Sequence, residues 1–367
     1  MMMSALLALA LQMSAANVSK PTFTEWHDLQ VNEVNRFPLH TSFFAYESED
    51  KALRGDKTQS ANYMTLDGSW KFNWVGNADE RPTDFFTLNY DDSSWKNLWV
   101  PAIWELNGYG DPVYKNVGYA WNGHFKDNPP EVPVKDNHVG TYRRFITLPD
   151  SWKGRQVIAH FGSVTSNIYL WVNGRYVGYA ENSKVAAEFD LTPYLVKGRN
   201  LIAFQTFRWC DGSYDEDQDF WRMSGVGRSC YLYSRDAKHH VDNIKITPSL
   251  DEQTYTKGKL EVEVKLAGND NLRYQLLDAT KKEVAHGLVS NIEKGLAHFT
   301  ISLNNVNAWT AETPYLYTLL VSPVSTKGKE VAYEAVPQKV GFRTVKIVGD
   351  KLYVNGKAIY IKGTDRH

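Results

Sequence analysis

The sequence predicts an all-β protein, a jelly-roll β-sandwich followed by an immunoglobulin-like β-sandwich. Three observations carry that prediction. Apolar and polar residues alternate with period two along one segment after another from about Asp67 onward, the signature of half-buried strands. Asn-Gly pairs at Asn173-Gly174 and Asn355-Gly356 separate such segments; a type I′ turn requires positive φ at both central residues, which that dipeptide tolerates. Helix-period segments of useful length are nearly absent.

The elements follow in order. With 367 residues the chain exceeds one ordinary core, so two or three domains are expected. Residues 1–16 hold an apolar run from Ala5 to Leu11 and then Ser14-Ala15-Ala16, which reads as an export signal to the periplasm or exterior. The run carries no Lys or Arg ahead of it, so a cytoplasmic location is the alternative. Residues 17–36 form a leading segment. The jelly roll is placed at 37–237. LDGSWKFNWVG alternates around Trp70, Phe72 and Trp74, RQVIAHFGSV and NIYLWVNGRYVGYAE follow, and NLIAFQTFRWC runs straight into the acidic loop DGSYDEDQDFWRMSG. The second sandwich is placed at 238–343, where about seven short strands separated by turn residues begin with VDNIKITPSLD and end in EVAYEAVPQKVGFR. Residues 344–367 start a third unit: a hairpin at Asn355-Gly356, then AIYIKG, which reads as a strand buried on both faces, then Asp365-Arg366-His367. A chain stopping beside an unpartnered buried strand is expected to be a fragment of a longer one.

The formal charge of -1 leaves no electrostatic footprint for nucleic acid or an anionic membrane, and no apolar run reaches the length of a bilayer span. Aromatic residues reach 13%; Trp and Tyr suit both sandwich cores and sugar faces, with core packing the commoner use. Two cysteines, Cys210 and Cys230, make no disulfide framework; a single bridge and two buried thiols both stay open.

The acidic loop holds Asp211, Asp215, Glu216, Asp217 and Asp219. Asp215, Asp217 and Asp219 match positions 1, 3 and 5 of an EF-hand, but position 6 must be Gly and is Phe220, and position 12 must be Glu and is Val226. A calcium loop is excluded. Asp215, Glu216 and Asp217 are expected to be a solvated rim, with Arg222 and Arg228 neutralising part of it. Asp219, bracketed by Phe220 and Trp221, separates from them.

Several segments together resemble the N-terminal part of a large bacterial β-galactosidase of glycoside hydrolase family 2. They are LDGSWKFNW, VPAIWELNGYGDPVYKNVGY, VGTYRRFITLPDSW, IYLWVNGRYVGYAENSKVAAEFDLTPYL, DGSYDEDQDFWRMSGVGR, VGFRTV and LYVNGKAIYIKGTDRH. The resemblance implies a jelly-roll domain, an immunoglobulin-like domain and the first strand of an incomplete (β/α)8 barrel. It implies hydrolysis of terminal β-D-galactosides with retention, by two glutamates on later barrel strands. Neither has a credible counterpart here: the only Asn-Glu dipeptide, the family's acid/base mark, is Asn32-Glu33 in the leading segment. The chain alone is therefore expected to be inactive.

By the same resemblance Asp219 faces the galactose and gives one ligand to a sodium ion. Asn116 sits on a loop beside the sugar, and His367 contacts a galactosyl hydroxyl. Each has a plainer reading, as a turn-stopping or Arg222-paired Asp, an Asx-turn Asn and a frayed terminal His. Asp365 stands where many relatives have Asn. Of Trp104, Trp121 and Trp221, only Trp221 is placed near the site. Mg2+ and Na+ are implied for the full-length family, as is assembly into homo-oligomers, with no complete metal site in this chain. The function from another class is a stand-alone carbohydrate-binding or adhesion sandwich, which would end near Arg235 or Arg343 after a finished domain.

Overall fold

A computed structural model describes residues 20–325 and 330–365. The expected export signal and His367 lie outside the described residues. The chain divides into two compact units, one of residues up to Phe37, Asp67–Leu148 and Phe161–Ser229, the other of Pro38–Leu66, Pro149–His160 and Cys230 onward.

The first unit is built on a seven-stranded antiparallel sheet. Its strands are β1 (Glu33–Val34), β2 (Gly68–Val75), β3 (Lys96–Val100), β5 (Val139–Thr147), β6 (Asn167–Val172), β7 (Arg175–Glu181) and β8 (Arg199–Phe207), in the order β1-β7-β6-β8-β5-β2-β3. A separate two-stranded ribbon pairs β4 (Val113–Lys115) with β9 (Phe220–Arg222). The β6–β7 hairpin closes at Asn173 (φ 52) and Gly174 (φ 81), the two positive φ angles that the Asn-Gly pair predicts. Central β8 runs in continuous register with β5 from Arg199 opposite Thr147 to Phe207 opposite Val139. All six residues of β6 are buried, so its alternation separates two covered faces rather than a wet face from a dry one. Odd-numbered Tyr169 and Trp171 join Trp26, Phe85 and Phe207 in one aromatic core. On the opposite face of β8, Phe204 stacks on Tyr142 with ring centroids 4.2 Å apart, and Trp70 meets both rings edge-on. Edge-to-face and offset pairs of this kind add to area burial.

The second unit contains an open sandwich of seven strands: β10 (Val241–Leu250), β11 (Gly258–Leu266), β12 (Asn271–Leu277), β13 (Glu283–Val289), β14 (Leu296–Leu303), β15 (Tyr317–Val324) and β16 (Val336–Val340). One sheet runs β10-β11-β14 and the other β13-β12-β15-β16. Leu260, Val262 and Val264 from the first interlock with Leu272, Leu276, Leu319 and Val321 from the second. The period-two burial of β11, with Leu260, Val262, Val264 and Leu266 all inside, shows why its sequence KLEVEVKL reads as a strand. Pro248 within β10 is tolerated because β10 is an edge strand in that sheet.

One expectation fails. AIYIKG does not form a buried strand: only Lys357–Ala358 pairs, as the last strand of a small three-stranded sheet with Val345–Val348 and Lys351–Val354. Ile359, Tyr360 and Ile361 are 42%, 85% and 73% exposed. An apolar run becomes a doubly buried strand only when neighbours pair with its backbone along its length and cover its faces; beyond Ala358 the pairing adds only the Ile359 N–H, which donates to the Leu352 carbonyl at 2.9 Å. Cys210 and Cys230 are both buried free thiols. Among the described residues no helix is long and apolar enough to cross a membrane.

Candidate sugar-facing site

The site is set by the β4–β9 ribbon. Its register puts Phe220 opposite Lys115, Trp221 opposite Tyr114 and Arg222 opposite Val113. Asp219 immediately precedes β9 and Asn116 immediately follows β4, so two residues about a hundred positions apart lie across the same end of one ribbon. Both are exposed. Tyr114 donates its phenolic hydrogen to Asp219 Oδ1 at 2.5 Å, and its ring meets that of Trp221 at 5.5 Å between centroids. The acceptance of that hydrogen bond by Asp219 raises the Tyr114 phenol above its ordinary value. Trp221 is 50% exposed. The end of the ribbon thus offers a carboxylate, an amide and two aromatic rings to solvent, a set that can accept from hydroxyls and cover an apolar sugar face.

The arm carrying Asn116 is anchored from below. Trp104 is fully buried; its Nε1 donates to Tyr142 Oη at 2.5 Å and its backbone N–H to the Ser224 carbonyl at 2.9 Å. Glu105 accepts from the Ser224 N–H at 2.9 Å, and burial raises its carboxyl. Trp121 is buried as well and donates to Asp127. Trp104 and Trp121 are therefore core residues, and Trp221 alone of the three candidates faces outward.

The acidic loop sorts differently from the expected rim. Asp215 and Asp219 are exposed, but Glu216 accepts from the Ser183 N–H at 2.6 Å and Asp217 is paired with Arg222. Arg222 thus neutralises Asp217, not Asp219. Arg228 donates to the carbonyl of Lys184. Asp211 is 2% exposed and lies beside Glu181 and Cys210, with one potential ligand atom of each within 4.8 Å of the others. Asn32 and Tyr179 donate to the two Glu181 oxygens at 2.8 and 3.0 Å. Burial first, and then the neighbouring Asp211 carboxyl, push Glu181 up to about 7. Burial also raises the Cys210 thiol.

Sequence reasoning missed this trio, since a strand-end glutamate and a residue thirty positions later share no periodic pattern. Two carboxylates and a sulfur can hold a cation or share a proton. Asp219 belongs to no cluster of three ligating side chains among the described residues, and Tyr114 already occupies one of its oxygens.

The chain belongs to glycosyl hydrolases family 2. Residues 63–236 match the family's sugar binding domain and residues 239–343 match a second family 2 domain. Among curated relatives, the chain is 37% identical over 357 residues to a protein named beta-galactosidase from Priestia megaterium, covering 94% of this chain and 34% of that protein. The beta-galactosidase of Halalkalibacterium halodurans is 37% identical over 344 residues, with 93% and 33% covered. The chain therefore spans about a third of the length of these relatives. Among solved structures, a Bifidobacterium dentium beta-glucuronidase superposes with a TM-score of 0.67 at 19% identity, over 83% of this chain and 52% of that one. A Bacteroides vulgatus beta-glycosidase superposes at 0.63 and 22%, over 82% and 36%. Likeness at that identity speaks to the fold alone.

Proposed function

We propose that this chain is the sugar-binding and scaffold portion of a β-galactosidase that hydrolyses terminal non-reducing β-D-galactosides with retention, and that by itself it binds galactosides weakly without cleaving them. The β4–β9 ribbon carries the reading, because it sets Asn116 and Asp219 side by side beside Trp221, on a chain whose curated relatives bear that name. Retention requires an acid/base and a nucleophile about 5–5.5 Å apart. The sole Asn-Glu dipeptide is otherwise engaged: Asn32 donates to Glu181, and Glu33 pairs with Arg36 on an edge strand.

The chain offered a nitrophenyl β-galactoside is expected to release nitrophenol no faster than buffer; turnover above buffer would overturn the claim of inactivity. Binding is tested separately. Methyl β-galactoside is expected to perturb Trp221 fluorescence, and Asp219→Ala to abolish that response. Tyr114→Phe is expected to weaken it while leaving the denaturation midpoint in place, because both partners face solvent. A response unchanged in Asp219→Ala would remove Asp219 from the site.

A further inference from the structure

The ribbon that carries Asn116 and Asp219 is one of two ladders between the same pair of segments. One ladder sets Ala102 opposite Val226 and Ile103 opposite Gly225; the ribbon itself begins at Val113 opposite Arg222. Between the ladders, residues 104–112 on one side span the same gap as Met223 and Ser224 on the other. A ladder as short as the ribbon is marginal by itself, so the seating of β4 on β9 depends on what holds the 104–112 loop.

Two buried charged side chains hold it, one at each end. Glu105 is 8% exposed and accepts the Ser224 N–H on Oε2 at 2.9 Å. Because the Trp104 N–H donates to the Ser224 carbonyl, the loop takes both backbone groups of Ser224. At the far end Arg208, 2% exposed and directly after β8, donates from Nη2 to the Asp111 carbonyl at 3.1 Å. Its Nη1 lies 3.3 Å from His138 Nδ1 and 3.7 Å from Asp136 Oδ1, and its charge favours the ionised form of Glu105 against burial. Glu105 Oε1 has no hydrogen-bond partner in the protein. Burying a carboxylate with one oxygen unpartnered contributes little net stability, so what Glu105 supplies is a fixed reach from the loop to Ser224.

We propose that Glu105 and Arg208 are positioning residues of the sugar-facing site, holding the two ends of the 104–112 loop so that β4 seats on β9 and Asn116 stands at a fixed place beside Asp219. The positioning role rests on the galactoside reading of the ribbon; the seating of β4 does not, and the two are measured separately.

Hydrogen–deuterium exchange of the full chain reads the seating without a ligand. Glu105→Leu fills the space but gives Ser224 no acceptor, whereas Glu105→Gln keeps one. Glu105→Leu is expected to speed exchange at residues 113–115 and 220–222 about tenfold, the effect of one hydrogen bond to a charged group, with β8 unchanged. Glu105→Gln is expected to stay within about twofold of the unmodified chain. In the same proteins the half-saturating concentration of methyl β-galactoside, read from Trp221 fluorescence, is expected to rise about tenfold in Glu105→Leu and to be restored in Glu105→Gln. Ribbon exchange that is unchanged in Glu105→Leu, or that accelerates only as much as β8, would overturn the seating, as would equal effects of the two variants. A loosened ribbon with an unchanged half-saturating concentration would overturn the positioning role. An unmodified chain that gives no response to the sugar would overturn the galactoside reading and the positioning role with it, while exchange still decides the seating. Should Glu105→Leu fail to fold, Arg208→Lys takes its place with the same expectations, since it keeps the charge but not the planar fork that reaches Asp111.

Discussion

Trp104→Ala is expected to lower the unfolding free energy by about 3–5 kcal/mol, the range for removing a fully buried large aromatic side chain. The indole packs between Gly140 on β5 and the Ser224–Gly225 segment. It occupies the space left by Gly140 on β5, where an added Cβ would come within 2.2 Å of Trp104 Cζ2, and it closes on Gly225, where a Cβ would come within 2.9 Å of Trp104 Cδ1. Its Nε1 is held by Tyr142 and its backbone N–H by Ser224. Alanine leaves a cavity under the arm that carries Asn116, so both stability and the position of that arm suffer. Trp104→Phe keeps much of the volume and is expected to cost about 1–2 kcal/mol. Gly140→Ala presses a methyl into the indole and is expected to cost about 1–3 kcal/mol. Combining it with Trp104→Ala should cost less than the sum, because the new methyl enters the hole. Urea denaturation read through its midpoint and slope checks all four proteins. A loss below about 1 kcal/mol for Trp104→Ala would mean that the indole does not fill the space beside Gly140.

What could be read from the residues alone follows the range of the interaction that decides each feature. Asn173-Gly174 and Asn355-Gly356 both take positive φ at both positions because the turn is a property of two residues. The alternation of KLEVEVKL survives because one face of β11 is buried and the other wet. Trp104, Trp121 and Trp221 look alike in the chain, and only tertiary packing separates two core rings from an exposed one. The acidic loop shows the same limit more sharply. Its five carboxylates are adjacent in sequence, yet Asp211 is claimed by Glu181 thirty positions earlier, Glu216 by the Ser183 backbone and Asp217 by Arg222. The β4–β9 pairing involves three residues on each side, too short to leave a periodic trace, so composition and spacing alone do not bring Asn116 to Asp219. AIYIKG errs in the other direction: an apolar run states what a segment would bury, while its partners decide whether it does.

Glu181 supplies the second large effect, through pH. Its carboxyl sits about 7 in the folded chain, raised by burial and by Asp211, and near the usual carboxylate value of about 4.3 once unfolded. Between those values the folded state holds a proton that the unfolded state has lost. Stability from this group is thus fully present below the unfolded value and is lost as pH rises through 7. At 1.36 kcal/mol per pKa unit the loss is at most about 4 kcal/mol. Glu181→Gln keeps the shape and the acceptor for Asn32, and its amide can donate toward Asp211 Oδ2, which has no partner now. The variant is expected to match the unmodified chain at pH 5 and to exceed it by about 2–3 kcal/mol at pH 8. The comparison is made by urea denaturation across that range with a chelator present, so that no cation substitutes for the proton, and the histidines common to both proteins cancel in the difference. Parallel profiles from pH 5 to 8 would show that Glu181 does not hold the proton. A gap that opens with falling rather than rising pH would reverse the sign and place the charged form of Glu181 in the folded state.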